Sequence, residues 1–181
     1  MCFVLDVVIN HGGPVHSSAD VHRMAPFDRL EYYHTLHRQP SESFDLYAQH
    51  PANVFDAFAP GCGPGDYHCA GYSEELVEEG WFYDLGDLNQ THPYVADELK
   101  RWVRHMVRTY EIDALRLDTA PYVPRSYLGE WAAEAGVEVL GEVTASNLSF
   151  HASYTRDPAS GARVLAGVLN FPLYYLLPQV W

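Results

Sequence analysis

The chain has 181 residues and a formal net charge of −13; 48% of its residues are hydrophobic and 19% are charged. This is the composition of a folded globular domain rather than of a disordered chain. The acidic balance argues against nucleic acid and anionic membranes as partners, because both are bound through basic patches. No apolar run has the length needed to span a bilayer, so we also expect no membrane partner.

A buried strand and a long insertion begin the chain. Residues 2–9 are apolar on both faces, which is typical of a parallel strand that is covered on both sides. From Gly12 to about Asp84 the periodicity is lost, and Gly, Pro, Ser, His and Tyr dominate. Because so long a loop is unusual inside a compact unit, we expect residues 12–84 to form an inserted, loop-rich subdomain.

The cysteines and histidines of this region carry weaker signals. Cys62 and Cys69 bracket a short Gly- and Pro-containing stretch, and the sequence leaves the bridged and the reduced state equally open. Cys2 lies in the first strand and is expected to be a buried free thiol. Four histidines show no metal-ligand spacing and are interpreted as surface or loop residues: His16, His22, His34 and His37.

Two helices and two strands alternate after the insertion. A helix is predicted to begin near Pro93, with an apolar stripe at helical spacing formed by Val95, Leu99, Trp102, Val103, Met106, Val107 and Tyr110. Strand 112–118 follows, a second helix begins at Pro124 and ends at Gly136, and strand 137–141 comes next. The βαβαβ order predicts an α/β fold with a parallel sheet.

A carboxylate ends each of the last two strands. Asp118 and Glu142 should therefore meet at one edge of the sheet, where α/β folds place their chemistry. Arg116 shares a strand face with Asp118 and would keep it ionised and oriented. Two carboxyl groups that face one substrate are suited to cleaving a glycosidic bond. A structural Arg–Asp pair and a solvated strand-end Glu are the alternatives.

Four segments, in this order, resemble signatures of the α-amylase family of glycoside hydrolases, in particular the fungal-type enzymes. They are residues 6–11 (DVVINH), 85–89 (LGDLN), 113–118 (DALRLD) and 141–143 (GEV). Residues 167–175 (GVLNFPLYY) are similar to the stretch after the fifth barrel strand in those enzymes. The resemblance implies an internal fragment of the catalytic domain. Residues 1–11 and 85–181 would form a partial (β/α)8 TIM barrel, about strands three to five, and residues 12–84 the inserted domain.

The resemblance also implies catalytic roles. Asp118 matches the nucleophile of a retaining mechanism, and Glu142 matches the general acid, which needs a raised pKa. Arg116 supports this difference by lowering the pKa of Asp118. His11 matches a residue that hydrogen-bonds the sugar at the cleavage subsite.

A structural Ca²⁺ is implied as well. Asn10 and Asp87 match side-chain ligands of that ion, and Tyr122 matches the position of a backbone carbonyl ligand. Oxygen ligands of this kind suit a hard cation. Pro121 and Tyr122 stand where the fungal-type pattern has Lys and His, which leaves the balance between hydrolysis and glycosyl transfer open.

The function implied by the resemblance is a secreted, monomeric enzyme that cleaves internal α-1,4 bonds of starch- or glycogen-type glucans. A transglycosylase or another α-glucosidase of the same family would use the same residues. A non-catalytic amylase-like binding domain is the alternative from another class. Because the family's third carboxylate would lie beyond Trp181, we expect the isolated chain to be inactive.

Overall fold

The computed structural model describes residues 2–35, 62, 66–67 and 69–180. The strands are β1 (Val4–Val7), β2 (His11–Pro14), β3 (Leu85–Asp87), β4 (Ala114–Leu117), β5 (Glu138–Gly141) and β6 (Gly167–Val168). The helices are α1 (Ser18–Val21), α2 (Glu74–Glu79), α3 (Pro93–Tyr110), α4 (Arg125–Ala135), α5 (Leu148–Ser153) and α6 (Phe171–Leu176). Three short 3-10 helices cover Leu30–Tyr32, Ala120–Tyr122 and Leu177–Gln179.

Four of the strands form one parallel sheet, as predicted. Their order is β1-β4-β5-β6, with each neighbouring pair parallel. Helices α3 and α4 connect strands of this sheet, and it is open rather than closed into a barrel over the part of the chain described. Because all four strands run the same way, their carboxyl ends form one edge.

Helix α3 forms where the apolar periodicity predicts it. Pro93 occupies its first turn, and Glu111 ends it in the left-handed conformation. The buried face consists of Val95, Leu99 and Val103, which pack towards the sheet. Tyr110 was predicted in the same stripe but is exposed, because it lies in the last turn, where the helix extends past the core.

Helix α4 packs against α3. It presents buried Tyr127, Leu128, Trp131 and Ala135, and Gly136 ends it with a φ of 70°. The Trp131 indole N–H donates to the Leu99 carbonyl at 3.3 Å, which satisfies the one polar atom of that buried ring. The strands between these helices are shorter than predicted, since β4 covers Ala114–Leu117 rather than 112–118.

Strands β2 and β3 pair antiparallel, with His11 opposite Asp87. They form the stem from which the chain leaves the sheet and returns to it. Within the described part of residues 12–84, Trp81 is fully buried and its indole N–H donates to the His34 carbonyl at 2.8 Å. The boundaries 12 and 84 of the inserted subdomain stay a prediction, since residues 36–61 lie outside the described ranges.

The cysteines differ from one another. Cys62 and Cys69 are joined by a disulfide, with Cα atoms 5.7 Å apart, so the bridged alternative holds. Cys2 is free and exposed, so the prediction of a buried thiol was wrong. Cys2 precedes β1, which begins at Val4, and the residues that follow it, Phe3 and Val4, are exposed as well. Among the described residues, no helix combines the length and apolarity that crossing a membrane requires.

Candidate active site

The parallel register brings the two carboxylates together. Leu117 of β4 is opposite Val7 of β1 and Gly141 of β5. The ladder continues one residue further, because the Asp118 amide donates to the Val7 carbonyl at 2.9 Å and the Glu142 amide donates to the Leu117 carbonyl at 2.7 Å. Asp118 and Glu142 therefore leave neighbouring strands at the same height, and their side chains hydrogen-bond each other.

One guanidinium connects the acidic groups. Arg116 Nη1 lies 2.6 Å from Asp118 Oδ1 and 2.9 Å from Asp6 Oδ1, and Nη2 lies 2.8 Å from Glu142 Oε1. The side chains of Arg116, Asp118 and Glu142 are mostly shielded from solvent. Such charge-assisted hydrogen bonds fix both carboxyl groups in orientation. The predicted contact between Arg116 and Asp118 is therefore present, and Arg116 also binds Glu142.

The pKa of Glu142 is raised. Burial is the largest cause, and the hydrogen bond with Asp118 and the Asp118 charge add to it, while the Thr119 amide and Arg116 act in the opposite direction. A protonated Glu142 can donate its proton to Asp118 or to a substrate oxygen in the same place. The pair thus consists of one carboxyl group suited to hold a proton and one suited to accept a hydrogen bond.

Thr119 occupies a strained position beside this pair. Its φ is 51°, in the left-handed region that a β-branched residue rarely adopts. In this conformation its amide donates to Glu142 Oε2 at 3.3 Å and its hydroxyl donates to Asn10 Oδ1 at 2.6 Å. This conformation could not be predicted from the residue type, because Thr rarely adopts the left-handed region.

His11 faces the same space. Its ring stacks parallel to Phe82 at 6.3 Å, and its Nδ1 is buried without a hydrogen-bond partner. Burial lowers the pKa of His11 despite the opposing effect of the Asp118 charge. The imidazole is therefore neutral near pH 7.

A cleft of about 370 Å³ contains these groups. Its lining residues are His11, Tyr67, Phe82, Leu85, Asp118, Thr119, Pro121, Tyr122, Glu142 and Thr144. The sequence did not predict that Tyr67 and Phe82 of the insertion line this cleft. The insertion has no periodicity from which a buried face could be inferred. A larger apolar cavity of about 630 Å³ lies along α3 and includes His11 but neither Asp118 nor Glu142, so it is less suited to acid–base chemistry.

Two of the three residues predicted as metal ligands, Asn10 and Asp87, lie close together at the β2–β3 stem. The Leu88 amide donates to the Asn10 carbonyl at 2.7 Å, which places Asn10 beside Asp87. Tyr122 is within one turn of Thr119, since its amide donates to the Thr119 carbonyl at 3.0 Å. Among the residues that the structure describes, no three His, Cys, Asp or Glu side chains form a metal-binding group.

His34 lies in a loop, as predicted, but it is not a surface residue. Its side chain is largely buried, and Nδ1 lies 2.6 Å from Asp87 Oδ2. Burial lowers the pKa of His34 to about 4, so it is neutral and contacts Asp87 through a hydrogen bond. His16 and His22 are exposed as predicted, and His37 lies outside the described residues.

Comparison with known proteins agrees with this geometry. The sequence model of the family described as "Alpha amylase, catalytic domain" matches residues 1–161. The chain belongs to the α-amylase family. The resemblance seen in its four signature segments is thereby confirmed, and so is the α/β fold with a partial, unclosed barrel.

Individual relatives cover nearly all of the chain. It is 29% identical to a β/α-amylase of Paenibacillus polymyxa over 98% of its length, but over only 12% of that protein. An α-amylase structure from Malbranchea cinnamomea has a TM-score of 0.71 at 31% identity and matches 98% of this chain and 31% of that one. The α-amylase of Geobacillus thermoleovorans in complex with acarbose has a TM-score of 0.70 at 26% identity, with 99% and 32% covered. The chain thus spans a third or less of each of these relatives.

Replacing Arg116 should change the titration of Glu142. The positive charge of Arg116 lowers the pKa of Glu142, so Arg116→Met should raise that pKa and keep Glu142 protonated to higher pH. The measurement is the titration of the labelled Glu142 carboxyl carbon by NMR. Arg163→Met is the matched control, since Arg163 binds Glu138 at the opposite end of β5 at 2.8 Å. An unchanged Glu142 midpoint in Arg116→Met would contradict this electrostatic assignment.

Proposed function

We propose that the protein that contains this chain is a retaining glycoside hydrolase that cleaves internal α-1,4 bonds of starch- or glycogen-type glucans. The observation that carries the proposal is the pair of hydrogen-bonded carboxyl groups, Asp118 and Glu142, that share the Arg116 guanidinium. A retaining glycoside hydrolase needs two neighbouring carboxyl groups, one protonated as the general acid and one ionised as the nucleophile. Asp118 and Glu142 are both present, which disfavours a non-catalytic binding domain.

In the proposed reaction Asp118 attacks the anomeric carbon while Glu142 donates its proton to the departing glycosidic oxygen. The bond from carbon to that oxygen breaks as the bond to the Asp118 oxygen forms. Glu142, now ionised, takes a proton from water, and the resulting hydroxyl displaces Asp118 from the sugar. In retaining enzymes the carboxyl groups lie about 5–5.5 Å apart across the substrate; their direct hydrogen bond here would be replaced by the sugar.

The neighbouring residues have roles that follow from their contacts. Arg116 holds both carboxyl groups in place and stabilises the ionised forms that arise in each half-reaction. Neutral His11, which lines the cleft, would hydrogen-bond a sugar hydroxyl. Because the chain spans a third or less of its relatives, the proposal concerns the whole protein to which it belongs.

Each carboxyl group should be essential for turnover in the full-length protein. Asp118→Asn removes the nucleophile and Glu142→Gln removes the acid, and each should lower kcat on maltooligosaccharides by about 10²-fold or more. The matched controls are Asp113→Asn and Glu138→Gln, which change carboxyl groups on the same two strands at the opposite end. Reducing-sugar release measures the rates. Substantial activity in either site variant would refute its assigned role.

We also propose that Asn10 and Asp87 hold a structural Ca²⁺, with the Tyr122 carbonyl as a further ligand. Asp87 is fully buried, and its Oδ1 has no hydrogen-bond partner. Burial raises the pKa of Asp87 well above its usual range, and the Glu79 charge adds to this. A cation would compensate this buried carboxylate. The Asn10 amide also has an unpartnered buried atom, Nδ2, and rotation of the amide would present its oxygen in that place.

Ca²⁺ should stabilise the folded protein through this pair. Saturation at 100 times the dissociation constant stabilises a one-site protein by about 2.7 kcal/mol, and Asp87→Asn should remove most of that gain. Calorimetric titration of the metal-free protein and melting curves with and without Ca²⁺ provide the measurement. Asp84→Asn is the matched control, since exposed Asp84 lies three residues earlier and binds His16 at 3.3 Å. Identical melting curves with Ca²⁺ and with chelator would refute the site.

Glycosyl transfer is the second candidate, and one surface feature favours it. Tyr83 is 60% exposed and has a φ of 59°, so its ring is held out towards solvent in a strained conformation. It packs edge-on against Phe82 at 5.2 Å, and Phe82 contacts Tyr122 in the cleft wall at 6.0 Å. An exposed aromatic face beside the cleft could bind an acceptor sugar, which would then compete with water for the glycosyl-enzyme.

If transfer occurs, replacing Tyr83 should lower the ratio of transfer to hydrolysis by about three- to tenfold, the effect of losing one aromatic contact. Tyr83→Asn is the variant of choice, because Asn tolerates the left-handed backbone. Chromatography of products from maltotetraose gives the ratio, as the yield of oligosaccharides longer than the substrate. Tyr110→Asn is the matched control, at 58% exposure on α3. Wild-type protein that makes no longer products would be a hydrolase only.

Two further expectations concern the whole protein. The Cys62–Cys69 disulfide supports an oxidising, extracellular location, because such bridges persist in secreted proteins. A monomer stays a prediction, and so does the absence of nucleic-acid and membrane partners, which rests on the net charge of −13. An α-glucan is the proposed substrate.

A further inference from the structure

Tyr67 is the one described residue of the 62–69 stretch that lines the catalytic cleft. Its side chain is only 7% exposed, although it belongs to the insertion and not to the sheet. Cys69, two residues later, is disulfide-bonded to Cys62 and donates its amide to the Asp66 carbonyl at 3.1 Å. Asp66 and Cys69, on either side of Tyr67, are thereby held together.

The Tyr67 ring touches the segment that carries Glu142 at two places. It stacks on Phe150 of α5 with ring centroids 4.1 Å apart and planes inclined by 10°. At its other end the Tyr67 hydroxyl and the Thr144 side chain share a hydrogen bond. Thr144 follows Glu142 on the connection from β5 to α5, and Phe150 lies in α5 itself, so the Tyr67 side chain contacts both sides of this connection.

Further contacts make the stack rigid. Tyr72 packs edge-on against Tyr67 at 5.2 Å, and the Arg125 guanidinium of α4 lies over the Phe150 ring at 5.9 Å. Burial is the main cause of the raised pKa of Tyr67, and the Glu142 charge contributes, which is consistent with the closeness of the two groups. Displacement of Tyr67 would leave space beside Glu142 and free the connection that positions it.

We propose that Tyr67 is a positioning residue that holds the Glu142-bearing connection in the orientation needed for proton donation. The inference rests on the proposed function, in which Glu142 is the general acid. Tyr67 itself donates no proton. As a residue of the insertion it contacts Thr144 and Phe150 and keeps them in place. The insertion would then be required for acid catalysis as well as for shaping the cleft.

The test compares two substrates in the full-length protein. Maltoheptaose has a poor leaving group that requires a proton, whereas α-maltosyl fluoride releases fluoride without one. Tyr67→Ala should lower kcat on maltoheptaose by about tenfold or more, part of the about 10²–10⁴-fold that a general acid supplies. Fluoride release in the first turnover should change by less than about threefold, because that step needs only the nucleophile. Tyr67→Phe keeps the stack, loses the Thr144 contact, and should show a smaller loss of the same kind.

Tyr127→Ala is the matched control. Tyr127 is also 7% exposed, and it packs on α4 with its hydroxyl donating to the Ala96 carbonyl at 3.0 Å. Any loss of stability in this variant should lower the rates on both substrates in the same proportion. The same proportional loss in Tyr67→Ala, or no loss on maltoheptaose in both Tyr67 variants, would overturn the positioning role.

Glu142→Gln separates this inference from the function on which it rests. If Glu142 is the acid, that variant should lose maltoheptaose cleavage and keep first-turnover fluoride release. Loss of both reactions in Glu142→Gln would overturn the acid assignment, and the positioning role would fall with it. Selective loss in Glu142→Gln together with a proportional loss in Tyr67→Ala would overturn the positioning role alone.

Discussion

The contact between one guanidinium and three carboxyl groups constrains the rest of the site. Arg116 lies on β4, between β1 and β5, and therefore reaches Asp6 on one side and Glu142 on the other, besides Asp118 at the end of its own strand. The positive charge of Arg116 favours the ionised form of Glu142 and so opposes a raised pKa. Burial, the hydrogen bond with Asp118 and the Asp118 charge nevertheless raise the pKa of Glu142. Its shielded position beside Asp118 thus suits Glu142 to hold a proton.

This position follows from sheet topology that the sequence reveals. Parallel strands place their carboxyl ends together, so two acids at the ends of successive strands must approach each other whatever the loops do. The helices α3 and α4 could be predicted because their apolar spacing is a local signal. The predicted ends of the strands were less accurate, because the length of β4 depends on which residues of β1 and β5 are available to pair with it. The exposure of Cys2 was also missed, because Cys2 was expected within the first strand, whereas β1 begins at Val4.

The contribution of the insertion could not be predicted. Tyr67 and His34 lie in a segment without periodicity, and each acquires its role from a residue far away in the sequence, Phe150 and Asp87 respectively. Such contacts depend on how a loop is folded back on the sheet, and no local pattern encodes them. Thr119 illustrates another limit, because its positive φ contradicts the preference of its residue type and is imposed by Asn10 and Glu142.

Thr119 also connects the proposed Ca²⁺ ligand Asn10 with the general acid Glu142. A left-handed β-branched residue costs about 1–3 kcal/mol and persists only where its surroundings over-determine it. Here the amide is fixed by Glu142 and the hydroxyl by Asn10, so both contacts hold the same strained turn. If Asn10 binds a cation as proposed, the cation site and the general acid are separated by a single residue. Tyr67 also helps to position Glu142, because it shares a hydrogen bond with Thr144, two residues after Glu142. Glu142 is then held between the β2–β3 stem and Tyr67 of the insertion, and the chemistry at the carboxyl ends of the strands depends on residues that are not part of the parallel sheet.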